Sequence, residues 1–193
     1  SLNPLRHIDL MGFVMLLVRF MCENLAVRIL VLFDGSNFYH RVKSLELGIS
    51  LSRFLYRKFV ESVTGADDIV IRYHLGELKP YQSQLRFIEH LRKQDIEVVL
   101  GYLLLVNGKY HEKGVDVNLA LDIAVGALKD QYDTCYLMSS DTDLIPAITL
   151  AQEAGKKIVY VGFAHRYSEA LRRVCTRYVL LKGADIQKYS RSA

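Results

Sequence analysis

The sequence contains few cysteines: Cys22, Cys135 and Cys175 are the only ones among 193 residues. Their number is odd, they lie far apart, and no C-x-x-C spacing indicates a metal or redox site. Cys135 falls in an apolar run and is expected to be an inert core thiol. A reducing, cytoplasmic setting is therefore predicted.

Long hydrophobic runs are also missing. The apolar run at residues 10–18 stops at Arg19, well short of the roughly 20 residues that a membrane span requires, so no membrane partner is predicted. Asp9 and the lack of a small-x-small cleavage site argue against a signal peptide. Residues 1–26 are predicted to be an extension or tag-like segment, residues 27–188 a single domain, and residues 189–193 a tail. The apolar extension also makes a homodimer plausible.

Neither sign of charge dominates, because the formal net charge is only +4 and the sequence pI is about 8.9. This balance permits nucleic-acid binding without arguing for it. Basic residues are nevertheless concentrated after Gly155, where acids are few. That concentration favours an anionic partner about as much as it favours a solvated surface.

Several ligand-binding motifs are absent. The stretch after the first apolar run, residues 34–38, does not supply the G-x-G-x-x-G of dinucleotide-binding proteins, and no G-x-x-x-x-G-K-[ST] occurs. A haloacid-dehalogenase-like phosphatase would need a second Asp where Ser36 stands. These absences argue against three common α/β functions.

What is present is an alternation of apolar strand patterns with amphipathic helix patterns. Strands are predicted at residues 27–33, 69–74, 96–106, 132–138, 157–161 and 178–181, and helices at 37–47, 51–63, 80–91, 116–129, 144–154 and 166–174. Asn107-Gly108 is a hairpin signal. The alternation predicts an α/β fold with three layers, α/β/α, around a mostly parallel sheet.

Acidic side chains follow the ends of these predicted strands. Asp34 ends the first, Asp141 and Asp143 follow the run at 132–138, and Asp116 opens a long helical pattern. Ligands bind outside the carboxyl ends of strands in open α/β sheets, so these acids are expected to share one pocket. Two ionised acids about 5 Å apart repel by roughly 3 kcal/mol at an effective dielectric near 20. Oxygen ligands without Cys or His favour Mg²⁺ or Mn²⁺ between them.

Each acid also has a purely structural interpretation. Asp34 precedes a glycine and is suited to a turn, and Asp116 is suited to capping its helix. Asp143 is a good N-cap because Pro146 belongs in the first turn of the helix that follows. Asp141 is then left with no capping role, which makes it the most informative acid.

Polar and aromatic neighbours are similarly ambiguous. Asn37 is suited either to capping the first helix or to holding a metal-bound water or phosphate. Asp122 lies on a different helical face from Asp116 and is interpreted as a solvent-facing or supporting residue. Tyr39 and His40 could stack on a base, although core packing is the commoner role of an aromatic residue there.

Four motifs together resemble the NYN domain, specifically its LabA-like branch, over about residues 27–182. They occupy residues 33–37, 113–117, 139–143 and 155–163. The resemblance implies a PIN-like fold, a Mg²⁺ or Mn²⁺ site made by Asp34, Asp116 and Asp141 with Asp143 and Asn37 in support, and ribonuclease activity. Ser140 stands where the family usually has Gly, and Leu144 where it often has Phe.

These patterns predict a metal-dependent ribonuclease that hydrolyses single-stranded RNA. The alternative is a non-catalytic regulator that binds RNA or a protein through the same cleft. Asp34, Asp116, Asp141 and Asp143 are the predicted catalytic residues. The residues predicted to bind substrate are Asn37, Ser139, Ser140, Arg166, Arg172 and Arg173.

Overall fold

The computed structural model describes residues 27–76, 81–106 and 109–190, so the predicted extension at 1–26 lies outside the described residues. Six parallel strands form the central sheet in the order β3-β2-β1-β6-β7-β8, and β4 and β5 form a separate antiparallel pair. The strands are β1 (Ile29–Asp34), β2 (Ile69–Leu75), β3 (Glu97–Leu100), β4 (Tyr102–Val106), β5 (Lys109–Lys113), β6 (Thr134–Met138), β7 (Lys157–Phe163) and β8 (Arg177–Leu181).

Helices cover both faces of the sheet. They are α1 (Gly35–Lys43), α2 (Tyr56–Thr64), α3 (Tyr81–Arg92), α4 (Val115–Leu128), α5 (Ile145–Glu153), α6 (Glu169–Val174) and α7 (Gly183–Gln187), with 3₁₀ turns at Leu51–Arg53 and Thr142–Leu144. The prediction of a three-layer α/β/α fold with a mostly parallel sheet is therefore confirmed. No helix in the described parts of the chain is long and apolar enough to cross a membrane.

Strand β1 is central because both of its faces are apolar. Leu30, Val31, Leu32 and Phe33 are all buried, as expected of a parallel strand covered by helices on both sides. Val31 and Phe33 belong to the hydrophobic core on one face of the sheet. Leu30 and Leu32 belong to the core on the other face. β1 thus anchors both helical layers.

The prediction of one strand over residues 96–106 is wrong. The chain breaks at Gly101, where β3 ends and β4 leaves the sheet to pair with β5. A Cβ atom at residue 101 would lie 2.7 Å from the carbonyl oxygen of Lys113 and 2.9 Å from the side chain of Val115, so only glycine fits this crossing. The pairing of β4 with β5 confirms the hairpin that Asn107-Gly108 indicates, although those two residues lie outside the described parts.

Most remaining differences concern helix ends. The first helix stops at Lys43 rather than 47, and the second begins at Tyr56 after a separate 3₁₀ turn. The helix expected from residue 166 begins at Glu169, because the side chain of Ser168 caps it. Strand β5 and helix α7 were not predicted as elements, because both are short and contain too few apolar residues to form a recognisable pattern.

Adjacent aromatic residues on α1 provide a test of this packing. Phe38 is 1% exposed and its ring contacts those of Phe33, Phe54 and Phe163, whereas Tyr39 is 46% exposed. We expect Phe38→Ala to lower the free energy of unfolding by about 3–5 kcal/mol because it leaves a buried cavity. Tyr39→Ala should cost roughly 0.5 kcal/mol or less. Urea denaturation measures both, and equal losses would contradict the assigned helix face.

Candidate active site

The site forms where the strand order reverses, between β1 and β6. These two strands are parallel and paired through Phe33 and Met138, so their carboxyl ends lie side by side. Asp34 is the last residue of β1, and the loop that begins at Ser139 follows β6 directly. A crevice at such a switch point is where open α/β sheets bind ligands.

Asp34 is held in a fixed position by two hydrogen bonds. Its carboxylate is buried, with the residue only 5% exposed. Oδ1 accepts the backbone N–H of Asn37 at 3.0 Å, and Oδ2 accepts the hydroxyl of Ser139 at 2.8 Å. Asp34 is thus the N-cap of α1, and the alternative that Asn37 caps this helix is wrong.

Ser139 connects Asp34 to the next acid along the chain. Its oxygen also accepts the backbone N–H of Asp141 at 3.1 Å. Asp141 in turn accepts the N–H of Asp143 at 2.9 Å and caps the 3₁₀ turn. Assigning the cap to Asp143, and no capping role to Asp141, was wrong, because a 3₁₀ turn at Thr142–Leu144 precedes the helix.

Asp116 enters the site from the first turn of α4. Gly114 is the N-cap residue of that helix, with φ of 88°, and no side chain caps it, so the interpretation of Asp116 as a cap is wrong. Partial desolvation raises the pKa of Asp116, and the charges of Asp141, Asp34 and Asp143 raise it further, in that order. Acids that are distant in sequence therefore interact electrostatically across the crevice.

A cavity of about 600 Å³ contains these groups. Its lining residues are Asp34, Ser36, Asn37, His40, Arg41, Val115, Asp116, Asp141 and Arg166. The structure thus brings together three of the four predicted acids with the predicted Asn37 and Arg166. Asp143 is exposed and is not among the lining residues.

Ser36 and Arg41 were not predicted as site residues. Arg41 lies four residues after Asn37 on α1, so the two side chains share one helix face. That spacing was visible in the sequence. The importance of this spacing could be recognised only once the structure showed that α1 starts at the cavity.

The two serines after β6 do not line the cavity. Ser139 is 1% exposed, and its hydroxyl both donates to Asp34 and accepts from Asp141, so it positions the acids rather than facing a substrate. Ser140 lies with its Oγ 3.1 Å from the hydroxyl oxygen of Tyr160. The predicted substrate contacts of both serines therefore gain no support from their positions.

Arg172 and Arg173 also lie apart from the cavity lining. Both bind Glu169, with N–O distances of 2.8 and 3.0 Å, and their hydrogen bonds lower the pKa of Glu169 to about 2. Arg172 also lies over the ring of Tyr178, at 5.4 Å. Among the three predicted arginines, only Arg166 lines the carboxylate cavity.

Asp122 does not line the cavity but contacts two residues of the neighbouring strand β2. Its carboxylate binds Arg72 and the buried His74, each at 3.0 Å, so it faces the sheet rather than solvent. His74 pairs in register with Asp34 across β1 and β2. This network fixes the neighbouring strand end but contributes no group to the cavity lining.

The donor set fits a hydrated hard cation. Within residues 27–76, 81–106 and 109–190, no group of three or more His, Cys, Asp or Glu side chains is arranged so that it could hold a metal ion. Mg²⁺, however, commonly binds through one or two carboxylates and keeps several waters or takes up substrate phosphate oxygens. Asp34, Asp116 and Asp141 offer only oxygen atoms, in a cavity large enough for such waters.

The fold and site define a three-layer α/β/α protein with an acidic crevice at its switch point. It is similar to a crystal structure of a protein of unknown function from Vibrio parahaemolyticus, with a TM-score of 0.63, 22% identity, and coverage of 80% of this chain and 93% of that one. The NYN domain family matches residues 28–182, and the chain belongs to that family. The recognition of an NYN domain and of a PIN-like fold is therefore confirmed.

One curated relative is an uncharacterized protein of Methanocaldococcus jannaschii. It is 29% identical over 161 residues, which cover 83% of this chain and 57% of the relative. The chain thus spans little more than half the length of that protein.

The position of Ser139 between two acids gives a testable consequence. Ser139→Ala leaves the buried Asp34 carboxylate without one donor and the Asp141 N–H without its acceptor. We expect the free energy of unfolding to fall by about 1–3 kcal/mol. Ser140→Ala, which removes only the contact with Tyr160, is the matched control and should cost about 1 kcal/mol or less. Thermal and urea unfolding measure both, and a smaller loss for Ser139→Ala would refute its positioning role.

Proposed function

We propose that this NYN protein is a Mg²⁺- or Mn²⁺-dependent ribonuclease that hydrolyses phosphodiester bonds of single-stranded RNA. The observation that carries the proposal is the meeting of Asp34, Asp116 and Asp141 in one cavity that also contains Arg41 and Arg166. Acidic groups for a cation and basic groups for phosphate are the two requirements of this chemistry.

The three carboxylates differ in how firmly the surrounding structure holds them and in how exposed they are. Asp34 is buried and restrained through both oxygens, so it provides a rigid point of attachment. Asp141 is restrained through Oδ1 by the turn that it caps, and Asp116 is the most exposed of the three. Asp34, Asp116 and Asp141 would hold a divalent ion, which would supply Lewis acidity toward the phosphate and would lower the pKa of a bound water.

The arginines of the cavity provide the complementary charge. Arg41 projects from α1, and Arg166 lies in the loop between β7 and α6, so the two approach from different elements. Guanidinium groups bind phosphate oxygens through charge-assisted, often bidentate, hydrogen bonds. A phosphodiester in the cavity would therefore be neutralised by arginine while its scissile bond faces the carboxylates.

Three finer assignments rest on the sequence. We propose membership of the LabA-like branch from the resemblance of the four motifs, a cytoplasmic location from the few, scattered cysteines, and a homodimer from the apolar run at residues 10–18. The alternative function, a non-catalytic regulator that binds RNA or protein in the same crevice, uses the same residues without turnover. Metal-dependent cleavage separates the two functions.

Asp141→Asn tests the catalytic proposal. An asparagine side-chain oxygen can still accept the N–H of Asp143, so the turn should remain intact while a metal-binding charge is lost. We expect Mn²⁺-dependent cleavage of single-stranded RNA to fall by at least about 100-fold, since even the partners of metal ligands cost about 10- to 100-fold when removed. Gel-based cleavage assays with circular dichroism check activity and fold together.

The matched control for that experiment is Asp68→Asn, which removes one exposed carboxylate outside the cavity lining and should leave cleavage unchanged. Equal activity of Asp141→Asn and wild type would reject the assignment of Asp141. RNA binding with no metal-dependent cleavage by wild type would support the regulator instead.

Arg166→Gln tests phosphate binding. Loss of one phosphate contact should weaken RNA affinity and lower the slope of log affinity against log salt by about 1. Arg173→Gln is the matched control, because Arg173 is paired with Glu169 and does not line the cavity. Fluorescence anisotropy over a salt series measures both slopes, and identical slopes for the two variants would contradict the assignment.

A further inference from the structure

A second, larger cavity lies beside the carboxylate cavity. Its volume is about 690 Å³, and Ser36 and His40 line both cavities. The two therefore adjoin along the first turns of α1. A ligand held at the carboxylates could extend past these two residues into the larger cavity without leaving the protein surface.

The lining of this second cavity is chiefly aromatic and apolar. Tyr73 and Phe87 contribute rings whose centroids are 5.6 Å apart, and Tyr73 is almost fully buried. Tyr39 also lines the cavity; it is 46% exposed, and its ring centroid is 5.3 Å from that of His40. Aromatic faces at a cavity that opens to solvent are suited to stacking on a flat ligand.

A few polar groups accompany these rings. Ser50 and Ser52 lie with their hydroxyl oxygens 3.0 Å apart, and the Nε2 of Gln84 donates to the carbonyl oxygen of Gly76 at 2.6 Å. Apolar walls with a small number of placed polar groups, within about 300–1,000 Å³, characterise small-molecule sites. The cavity thus suits a flat ring that carries hydrogen-bonding edges.

We infer that this cavity is the binding subsite for a nucleobase, namely the base of the nucleotide next to the phosphate held at the carboxylates. The inference rests on the proposed function for the position of that phosphate. A base can reach the cavity only when it is unstacked and unpaired, so the substrate is a single strand rather than a duplex. Tyr39 stacks on the base, and His40 lies where the base joins its sugar and phosphate.

Tyr39→Ala is the deciding variant, measured by binding rather than by cleavage. Fluorescence anisotropy with EDTA compares a short oligoadenylate with an abasic strand of the same length. We expect Tyr39→Ala to weaken oligoadenylate binding by about 5- to 150-fold, the range for loss of one stacked base. Binding of the abasic strand, which keeps its phosphates but has no base to stack, should not change.

Two control variants complete the design. Tyr39→Phe keeps the ring and should bind oligoadenylate as wild type does. Tyr178→Ala removes a tyrosine that is 47% exposed, against 46% for Tyr39, but lies on β8 outside the cavity lining, and this variant should also bind normally.

Three results would overturn the subsite. Tyr39→Ala could weaken binding of both strands equally, Tyr178→Ala could weaken oligoadenylate binding as much as Tyr39→Ala does, or wild type could bind the abasic strand as tightly as oligoadenylate. Any of these results is compatible with metal-dependent cleavage, so the ribonuclease proposal would stand. Conversely, base-selective binding that depends on the ring of Tyr39, with no cleavage in Mn²⁺, would keep the subsite and reject the ribonuclease.

Discussion

The hydrogen bond from the Ser139 hydroxyl to the buried Asp34 carboxylate connects the two halves of the sheet at the point where the strand order reverses. Burying an ionised carboxylate is costly unless hydrogen bonds compensate it. Here the compensation comes from Ser139 and from the N–H of Asn37, which begins α1. The same contacts that make the buried charge tolerable also fix its direction and the start of the helix beside it.

The remaining acids gather around this fixed charge at an electrostatic cost. Asp116 comes from the first turn of α4 and Asp141 from the loop after β6, and partial desolvation together with the neighbouring negative charges raises the pKa of Asp116. Such a concentration of like charges is destabilising, because the carboxylates repel one another. A cation between the carboxylates would relieve this repulsion, which is the role that the proposed function assigns to them.

The sequence predicted the architecture well because both faces of β1 are apolar and because strands and helices alternate. The sequence did not reveal the break at Gly101, because strand propensity continues from β3 into β4. It also misassigned the cap after β6. The pattern around Pro146 is compatible with a helix start at either acid, and only the backbone path shows that Asp141 caps a 3₁₀ turn.

The sequence alone determined which chemical groups are available, namely oxygen ligands at strand ends and a surplus of basic residues after Gly155. Only the tertiary structure decided which of them meet. It placed Arg166 at the carboxylates and Arg172 over the ring of Tyr178 on β8, and it put Tyr39 beside a second cavity. Side-chain type follows from local pattern, whereas distances between elements depend on how helices pack over the twisted sheet, which no short stretch of sequence encodes.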